Sequence, residues 1–284
     1  MRIDLHAHSN VSDGTDEPAD MVRSAVAAGL DVVALTDHDT TGGWDEARAT
    51  AQESGIGLVP GMEISCQRDH RSIHLLGYLF DPADADLLAE IEKARQGRLT
   101  RMDRMVDAMA ADGMPISIEE VRAQLAPGAT LGRPHLADAL IAAGVVPDRT
   151  VAFRDYLHNE SPYYRSHYAV DPVRAVELVR AAGGVPVIAH PFTVARGRSL
   201  DPAVLEEMIA AGLAGIEANH RDHTDEGVAQ ALALAREHDL IVTGSSDYHG
   251  TGKPNLLGEN VTTRDSLEWI VDGATGSEPF LPRR

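Results

Sequence analysis

The sequence predicts an α/β fold in which mostly parallel strands form a barrel. Short apolar runs of β type alternate with amphipathic helical segments along most of the chain, and this alternation is typical of parallel sheets. The seven strand candidates favour a barrel, and 284 residues with 43% hydrophobic side chains are enough to bury its core. A doubly wound open sheet would give a similar pattern.

The seven candidate strands are short apolar runs, nearly all of which end in a polar residue. In chain order they are RIDLHAHS, DVVALTDHD, GLVPGMEIS, SIHLLGYLF, GVPVIAHP, GIEANH and LIVTGSSDYHG. The helices between them have recognisable starts. Pro18 stands in the first turn of a helix that closes at Gly29, and the pairs at 171–172 and 201–202 each combine an N-cap aspartate with a proline.

The alternation stops between about Glu92 and Tyr168. This segment contains no convincing strand, and its first part, residues 90–113, has long helical periodicity and carries three of the eight methionines. We therefore interpret residues 93–167 as a helical insertion that caps the active-site face of the barrel. Residues 1–92 and 168–284 would form the barrel itself, so the predicted fold class is a distorted, TIM-like (β/α)7 barrel with a helical insertion.

The composition limits the classes of partner. A net charge of −19 argues against binding of long duplex nucleic acid, whereas a small anionic substrate is compatible with it if metal ions supply local positive charge. The single Cys66 excludes an internal disulfide and fits a reducing compartment. No apolar run approaches the roughly 20 residues of a spanning helix, and no signal-peptide core follows Met1, so we expect a cytoplasmic protein without a membrane partner. Nothing indicates an obligate protein partner.

Histidines and carboxylates stand at the ends of six of the seven candidate strands. These nine residues are His6, His8, Asp13, His38, Glu63, His74, His190, Asp247 and His249. Any one of them alone could be a buried core residue or a solvated loop residue. Together they suit zinc, manganese or ferrous iron, and nine ligands exceed what one ion accepts. The pattern thus predicts a cluster of two or three divalent ions in which at least one carboxylate bridges.

Six motifs in this order, DLHAHSNVSDG, LTDHD, GMEIS, IHLLGY, AHP and SDYHG, resemble the signature of the PHP (polymerase and histidinol phosphatase) superfamily. The resemblance covers residues 1–80 and 170–260. The insertion carrying GRPHLADAL is similar to the subgroup that dephosphorylates nucleoside 3′,5′-bisphosphates, whose members also trim short RNA from its 5′ end. The resemblance implies a distorted seven-stranded (β/α) barrel and a centre of three metal ions.

The resemblance also implies how the nine ligands are shared among the ions. The first ion would be held by His6, His8, Glu63 and Asp247. The second would be held by Asp13, His38 and His249. The third would be held by Glu63, His74 and His190, so that Glu63 bridges. On this basis Asp13, His38, Asp247 and His249 are expected to be catalytic as well as metal-binding.

The expected reaction is in-line attack of hydroxide on the phosphorus of a phosphate monoester, with metal ions generating the nucleophile. The favoured substrate is a nucleoside 3′,5′-bisphosphate (pAp to AMP), and very short RNA is a further candidate. Histidinol phosphate is the nearest enzymatic alternative, and a non-catalytic module that supports a partner protein is a more distant one. His220 is a further catalytic candidate, because it follows a strand and could contact the substrate or protonate the leaving group.

A second substrate phosphate would need its own cationic anchor. Several basic residues fall in stretches of loop type, although any of them could be an ordinary surface cation. The candidates are Arg133, His135, Arg165, Arg196 and Lys253.

Overall fold

The computed structural model describes residues 1–69, 71–126, 129–193 and 200–282. Within these residues, seven strands form one sheet whose spatial order equals their chain order. They are β1 (Ile3–Asp4), β2 (Val32–Leu35), β3 (Gly57–Arg68), β4 (Arg71–Tyr78), β5 (Val185–Ile188), β6 (Gly215–Asn219) and β7 (Ile241–Gly244).

The sheet curves until its two edges meet, which makes it a nearly closed barrel. Ala7, just beyond β1, forms a parallel bridge with Tyr248, just beyond β7. The backbone N–H of His8 donates a 2.8 Å hydrogen bond to the carbonyl of Tyr248. The predicted α/β class and distorted seven-stranded barrel are confirmed.

Strand β4 runs against its neighbours. It pairs antiparallel with both β3 and β5, whereas every other pair in the sheet is parallel. The reversal corrects one detail of the sequence interpretation, because His74 lies in the first half of β4 rather than at its end. Since the strand is reversed, its beginning lies at the same end of the barrel as the carboxyl ends of the other six strands.

Ten α-helices are present in the described residues. They are α1 (Pro18–Ala27), α2 (Trp44–Ser54), α3 (Ala85–Ala111), α4 (Ile118–Arg122), α5 (Arg133–Ala142), α6 (Arg149–Ala152), α7 (Pro172–Ala181), α8 (Pro202–Ala210), α9 (Asp225–His238) and α10 (Arg264–Gly273). The predicted N-caps are present, since the Asp171 carboxylate accepts from Val173 N–H and the Asp201 carboxylate from Ala203 N–H. No helix in the described ranges combines the length and apolar character needed to span a bilayer.

The apolar core follows the two-residue period of the strands. Along β2, Val32 and Ala34 belong to a cluster that other strands and α10 complete, while Val33 and Leu35 face a second cluster shared with the surrounding helices. This alternation fills the barrel with one set of side chains and attaches the helices with the other. It leaves the strand ends to carry polar groups.

The long connection between β4 and β5 is helical and has its own core. Met102 and Met105 of α3 pack with Leu136 and Leu140 of α5 in an apolar cluster separate from the barrel clusters. The predicted boundary between residues 92 and 93 lies inside α3, because this helix begins while the chain is still against the barrel. One continuous helix therefore links the barrel to the segment above it.

Candidate metal centre

One end of the barrel gathers all nine predicted ligands. His6 and His8 follow β1, and Ala7 between them turns to the opposite face and joins the apolar core. Because alternate residues of an extended chain share a face, both imidazoles point the same way. The remaining ligands are His38 after β2, Glu63 in β3, His74 in β4, His190 after β5, and Asp247 and His249 after β7, with Asp13 in the loop after β1.

The first group of ligand atoms comes from His6, His8, Glu63 and Asp247. One atom of each lies within 4.8 Å of the others. Oε2 of Glu63 is 3.3 Å from Nε2 of His6 and 3.2 Å from Nε2 of His8. The Asp247 Oδ1 atom lies 3.5 Å and 3.3 Å from the same two nitrogens. These four side chains converge on one point, which is the composition that the family resemblance implies for the first ion.

The second group surrounds Asp13. Its Oδ1 lies 3.2 Å from Nε2 of His249, and its Oδ2 lies 3.8 Å from Nε2 of His38. His8 belongs to this second group as well as to the first, so the two groups share its imidazole ring.

Glu63 connects the sets through its two oxygens. Oε1 lies 2.5 Å from Nδ1 of His74 and 3.1 Å from Nε2 of His190, whereas Oε2 faces His6, His8 and, at 3.2 Å, Nδ1 of His38. A carboxylate placed in this way can bridge two cations. The arrangement therefore agrees with the bridging position that the sequence predicts for Glu63.

The electrostatics of the cluster favour cationic occupants. Although burial alone would raise the pKa of Glu63, the charges of His38 and His74 hold it well below its usual range. Burial opposes protonation of His8, but hydrogen bonds to Asp247 and Glu63 raise the pKa of its imidazole to about 9. The buried carboxylates thus stay negatively charged and favour a positive partner, which is either a protonated imidazole or a metal cation.

Two ring nitrogens also indicate that the cluster fits metal ions. Nδ1 of His38 and Nε2 of His249 are buried and each lies 3.2 Å from a carboxylate oxygen, but neither makes a hydrogen bond of acceptable geometry in the described part of the chain. Buried polar atoms are nearly always satisfied, so these nitrogens are suited to coordinate an ion. Imidazole with carboxylate is a donor set that accepts zinc, manganese and ferrous iron.

The comparisons agree with this geometry. The PHP domain family matches residues 4–102. The 3′,5′-nucleoside bisphosphate phosphatase of Chromobacterium violaceum is 35% identical over 251 residues, which cover 88% of each chain. The chain belongs to the PHP family. The 5′-3′ exoribonuclease of Haemophilus influenzae is 33% identical and covers 94% of this chain and 96% of its own.

A solved structure extends the match to the whole fold. A metal-dependent phosphoesterase from Bifidobacterium adolescentis superposes with a TM-score of 0.93 at 41% identity, covering 96% of each chain. The chain is therefore a metal-dependent PHP phosphoesterase, a hydrolase of phosphoric ester bonds, as the motifs predict.

One buried carboxylate was not predicted from the sequence, and it lies beneath the nine predicted ligands, which we call the PHP cluster. Glu217 of β6 accepts a 3.1 Å hydrogen bond from Nδ1 of His6 and a 2.9 Å bond from the backbone N–H of His190. Burial would raise the pKa of Glu217, but the charge of His6 lowers it to about 2. Because the proton of His6 is held on Nδ1, its Nε2 lone pair faces the ligand group. Glu217 stands within the apolar run GIEANH. A carboxylate inside an apolar strand run was the sequence feature that could have indicated a role for it.

A cavity of about 230 Å³ opens onto the PHP cluster. Of the predicted substrate-binding residues, Lys253 and Arg133 line it. Lys253 Nζ lies 2.8 Å from Oδ2 of Asp247, while Arg133 donates to the carbonyl of Leu157 and to Oδ1 of Asn159.

The other predicted substrate-binding residues take different positions. His135 is buried, and its Nδ1 accepts from the backbone N–H of Gly132, so it caps the N-terminus of helix α5. Arg165 donates to the carbonyls of Pro162 and Tyr164 in its own loop and does not line the cavity. Arg196 lies outside the described residues.

His220 reaches the edge of the cluster. Its Nε2 is buried, lies 3.7 Å from Oδ2 of Asp247 and has no hydrogen-bond partner among the described residues. Its Nδ1 accepts a 3.1 Å hydrogen bond from the backbone N–H of Asp222, which keeps the ring proton on Nε2. The ring therefore presents an N–H toward the cluster.

Three basic side chains that line the cavity were not predicted: Arg98, Arg101 and His167. The two arginines belong to helix α3, whereas the sequence interpretation looked for substrate cations only in loops. Their three-residue spacing in GRLTR places them on one helix face. That spacing was the available signal.

Proposed function

We propose that this PHP phosphoesterase removes the 3′-phosphate from nucleoside 3′,5′-bisphosphates, with two or three divalent ions held by the nine-ligand cluster. The supporting observation is that one cavity has the cluster at one side and the cations Arg98, Arg101 and Arg133 in its wall. A substrate with two phosphates can use both regions. The activity named for the relative from Chromobacterium violaceum supports the same choice.

The bound ions would supply Lewis acidity and lower the pKa of water. The chain's own groups prepare the substrate. Asp247 counters the effect of burial and raises the pKa of Lys253, so this ammonium stays charged beside the cluster. Its charge would stabilise negative phosphoryl oxygens. The Nε2–H of His220 would donate a hydrogen bond to a substrate oxygen, which the geometry supports better than transfer of its only ring proton.

Trimming of very short RNA is a second candidate. A larger cavity of about 520 Å³ adjoins the first, and the two share Ser72, His74, Asn159 and His190. A chain longer than one nucleotide could extend through this shared wall. The exoribonuclease activity named for the relative from Haemophilus influenzae supports this candidate.

A phosphate-release panel with the manganese-loaded protein tests the proposal. The panel contains adenosine 3′,5′-bisphosphate, 5′-phosphorylated trinucleotides and histidinol phosphate, and chromatography identifies the nucleotide product. We expect inorganic phosphate and AMP from the bisphosphate, and no release by the Glu63→Gln variant. Hydrolysis of histidinol phosphate with no turnover of any nucleotide would contradict the proposal, and 3′-AMP as the product would reverse the assigned position.

A further inference from the structure

Arg149 of helix α6 is a cation of the insertion that reaches the ligand loops of the barrel. Its side chain is 19% exposed, and its Nε and Nη2 atoms donate to the two carboxylate oxygens of Asp138 at 2.7 and 2.6 Å. A bidentate pair of this kind fixes the plane of the guanidinium. The remaining nitrogen, Nη1, is therefore held in one place, where it donates a 3.4 Å hydrogen bond to the backbone carbonyl of Asp13.

The same Nη1 atom packs against the loop after β7. A Cβ atom at Gly252 would clash with Nη1. Gly252 does not adopt a positive φ, so its backbone conformation would accept alanine, and the missing side chain provides the room that the guanidinium occupies. The N–H of Gly252 donates a 3.2 Å hydrogen bond to the carbonyl of His249. Arg149 thus contacts Asp13 on one side and the turn of His249 on the other.

The second ligand group lies where these two loops meet. Oδ1 of Asp13 is 3.2 Å from Nε2 of His249, and the N–H of Thr15 donates a 3.2 Å hydrogen bond to the His249 carbonyl. A shift of either loop would change the separation of the two ligand atoms. Arg149 contacts both loops and is anchored to Asp138 of α5, so it limits such a shift.

The first ligand group has positioning contacts inside the barrel. Glu217 of β6 accepts a hydrogen bond from Nδ1 of His6. Asp4 of β1 accepts a 3.0 Å hydrogen bond from the N–H of Ser246, which precedes a ligand of this group. The bond to the Asp13 carbonyl comes instead from the insertion. The two ligand groups should therefore respond differently to a change in the insertion.

Arg149 does not belong to the wall of the substrate cavity. Asp13 and Lys253 line the cavity of about 230 Å³, whereas Arg149 does not. Its guanidinium therefore acts through the backbone that it contacts and not on a bound phosphate.

We propose that Arg149 is a positioning residue for the second ligand group, which fixes the Asp13 carboxylate and the His249 imidazole at the separation that one divalent ion requires. The inference goes beyond the proposed reaction, and it rests on the proposed ligand set rather than on the identity of the substrate. The insertion would then complete a metal site whose ligand side chains all belong to the barrel.

Manganese titration followed by electron paramagnetic resonance of the free ion counts the bound ions and gives their affinities. Asp13→Ala identifies the ion of the second group, because this variant removes one of its ligands. We expect Arg149→Ala to weaken the binding of that same ion by about 10–100-fold and to leave the other ions within about twofold. Arg154→Ala is the matched control, since this exposed arginine pairs with the adjacent Asp155 in a bidentate manner and should change no affinity.

Gly252→Ala tests the contact from the other side. The new methyl group would displace Nη1 from the Asp13 carbonyl, so the affinity for the second-group ion should fall about as much as in Arg149→Ala. In a protein that already carries Arg149→Ala the methyl group has room, and Gly252→Ala should then lower the affinity less than about threefold. A change that only loosens the fold would not produce this non-additivity.

Three results would overturn the inference. Arg149→Ala could weaken every ion equally, which would place Arg149 in the general fold, or it could retain the second-group ion at full affinity. The effects of Arg149→Ala and Gly252→Ala could also add independently. These results differ from failure of the proposed ligand set, in which Asp13→Ala itself retains every ion at full affinity and the inference falls with it.

Discussion

Replacement of Glu217 by glutamine tests how the PHP cluster is held in place. The side chain is fully buried, and its two oxygens accept from Nδ1–H of His6 and from the backbone N–H of His190. Glutamine has the same shape but only one acceptor oxygen. Its amide NH2 would face one of the two donors, so either His6 loses the bond that orients its ring or the His190 backbone is left unpaired.

The size of the effect follows from that single lost bond. A buried donor left without a partner costs about 1–3 kcal/mol. Loss of a carboxylate that orients a metal-binding histidine lowers metal affinity by about 10–100-fold, which corresponds to about 1.4–2.8 kcal/mol. We therefore expect the metal-free variant to be less stable by about 1–3 kcal/mol and its affinity for manganese to be weaker by about 10–100-fold.

Competition with a fluorescent chelator measures this affinity directly, and urea unfolding of the metal-free protein provides the stability. Glu237→Gln, an exposed carboxylate of α9, is the matched control and should leave both values unchanged. If Glu217→Gln binds manganese within twofold of the wild type, Glu217 does not orient His6 for an ion. A loss of stability without a loss of affinity would also exclude that role.

Three further predictions address ligation, protonation and packing. Asp13→Ala, which removes the carboxylate 3.2 Å from His249, should lower kcat at least about 100-fold while circular dichroism shows an intact fold; unchanged turnover would exclude Asp13 from the mechanism. Because the pKa of His8 is raised to about 9, the metal-free ring is protonated below that pH and a metal ion must displace the proton. Metal affinity should therefore rise with pH up to about 9, and calorimetry in two buffers should detect proton release, whereas a flat profile would contradict this. Tyr78→Phe removes the 2.8 Å hydrogen bond to the Leu5 carbonyl and should destabilise the protein by about 1–3 kcal/mol in urea unfolding; an unchanged midpoint would show that the carbonyl finds another donor.

The convergence of the residues at the strand ends is the feature of the candidate site that the sequence predicted. Parallel strands deliver their carboxyl ends to one edge, so polar residues that follow apolar runs converge without any knowledge of the loops. This logic located His6, His38 and His190 because each follows its strand. Glu63 lies within β3, and its backbone pairs with that of His38. The end of the apolar run therefore indicated the region of the site, but it did not mark where the strand ends.

The reversed strand was harder to predict from the same logic. Positions 68 and 71 pair with each other, so only two residues join β3 to β4. A link of two residues can connect only antiparallel strands, whereas a parallel crossover needs a dozen or more. The signal is present in QRDHRS, but the apolar run after it has the same composition as a parallel strand.

Residues that act from beneath or from helices gave weaker signals. A carboxylate inside a strand run, such as Glu217, has no pattern that separates a hydrogen-bond acceptor from a solvated side chain. Arg98 and Arg101 stand in a helix with many other charged residues, and most such arginines are exposed. Only the packing of α3 against the barrel decides which helix face is buried.

The division of labour between barrel and insertion explains how a chain of net charge −19 can receive an anion. The barrel supplies the proposed metal ligands, while α3 places Arg98 and Arg101 in the wall of the same cavity. The insertion also touches the ligand loops, since Arg149 pairs with Asp138 and approaches the carbonyl of Asp13. Positive charge is thus concentrated in one concave place, where low-dielectric walls focus the field. It follows that changes in α3 should alter which phosphate ester is accepted, while changes at the strand ends should alter whether any ester is cleaved.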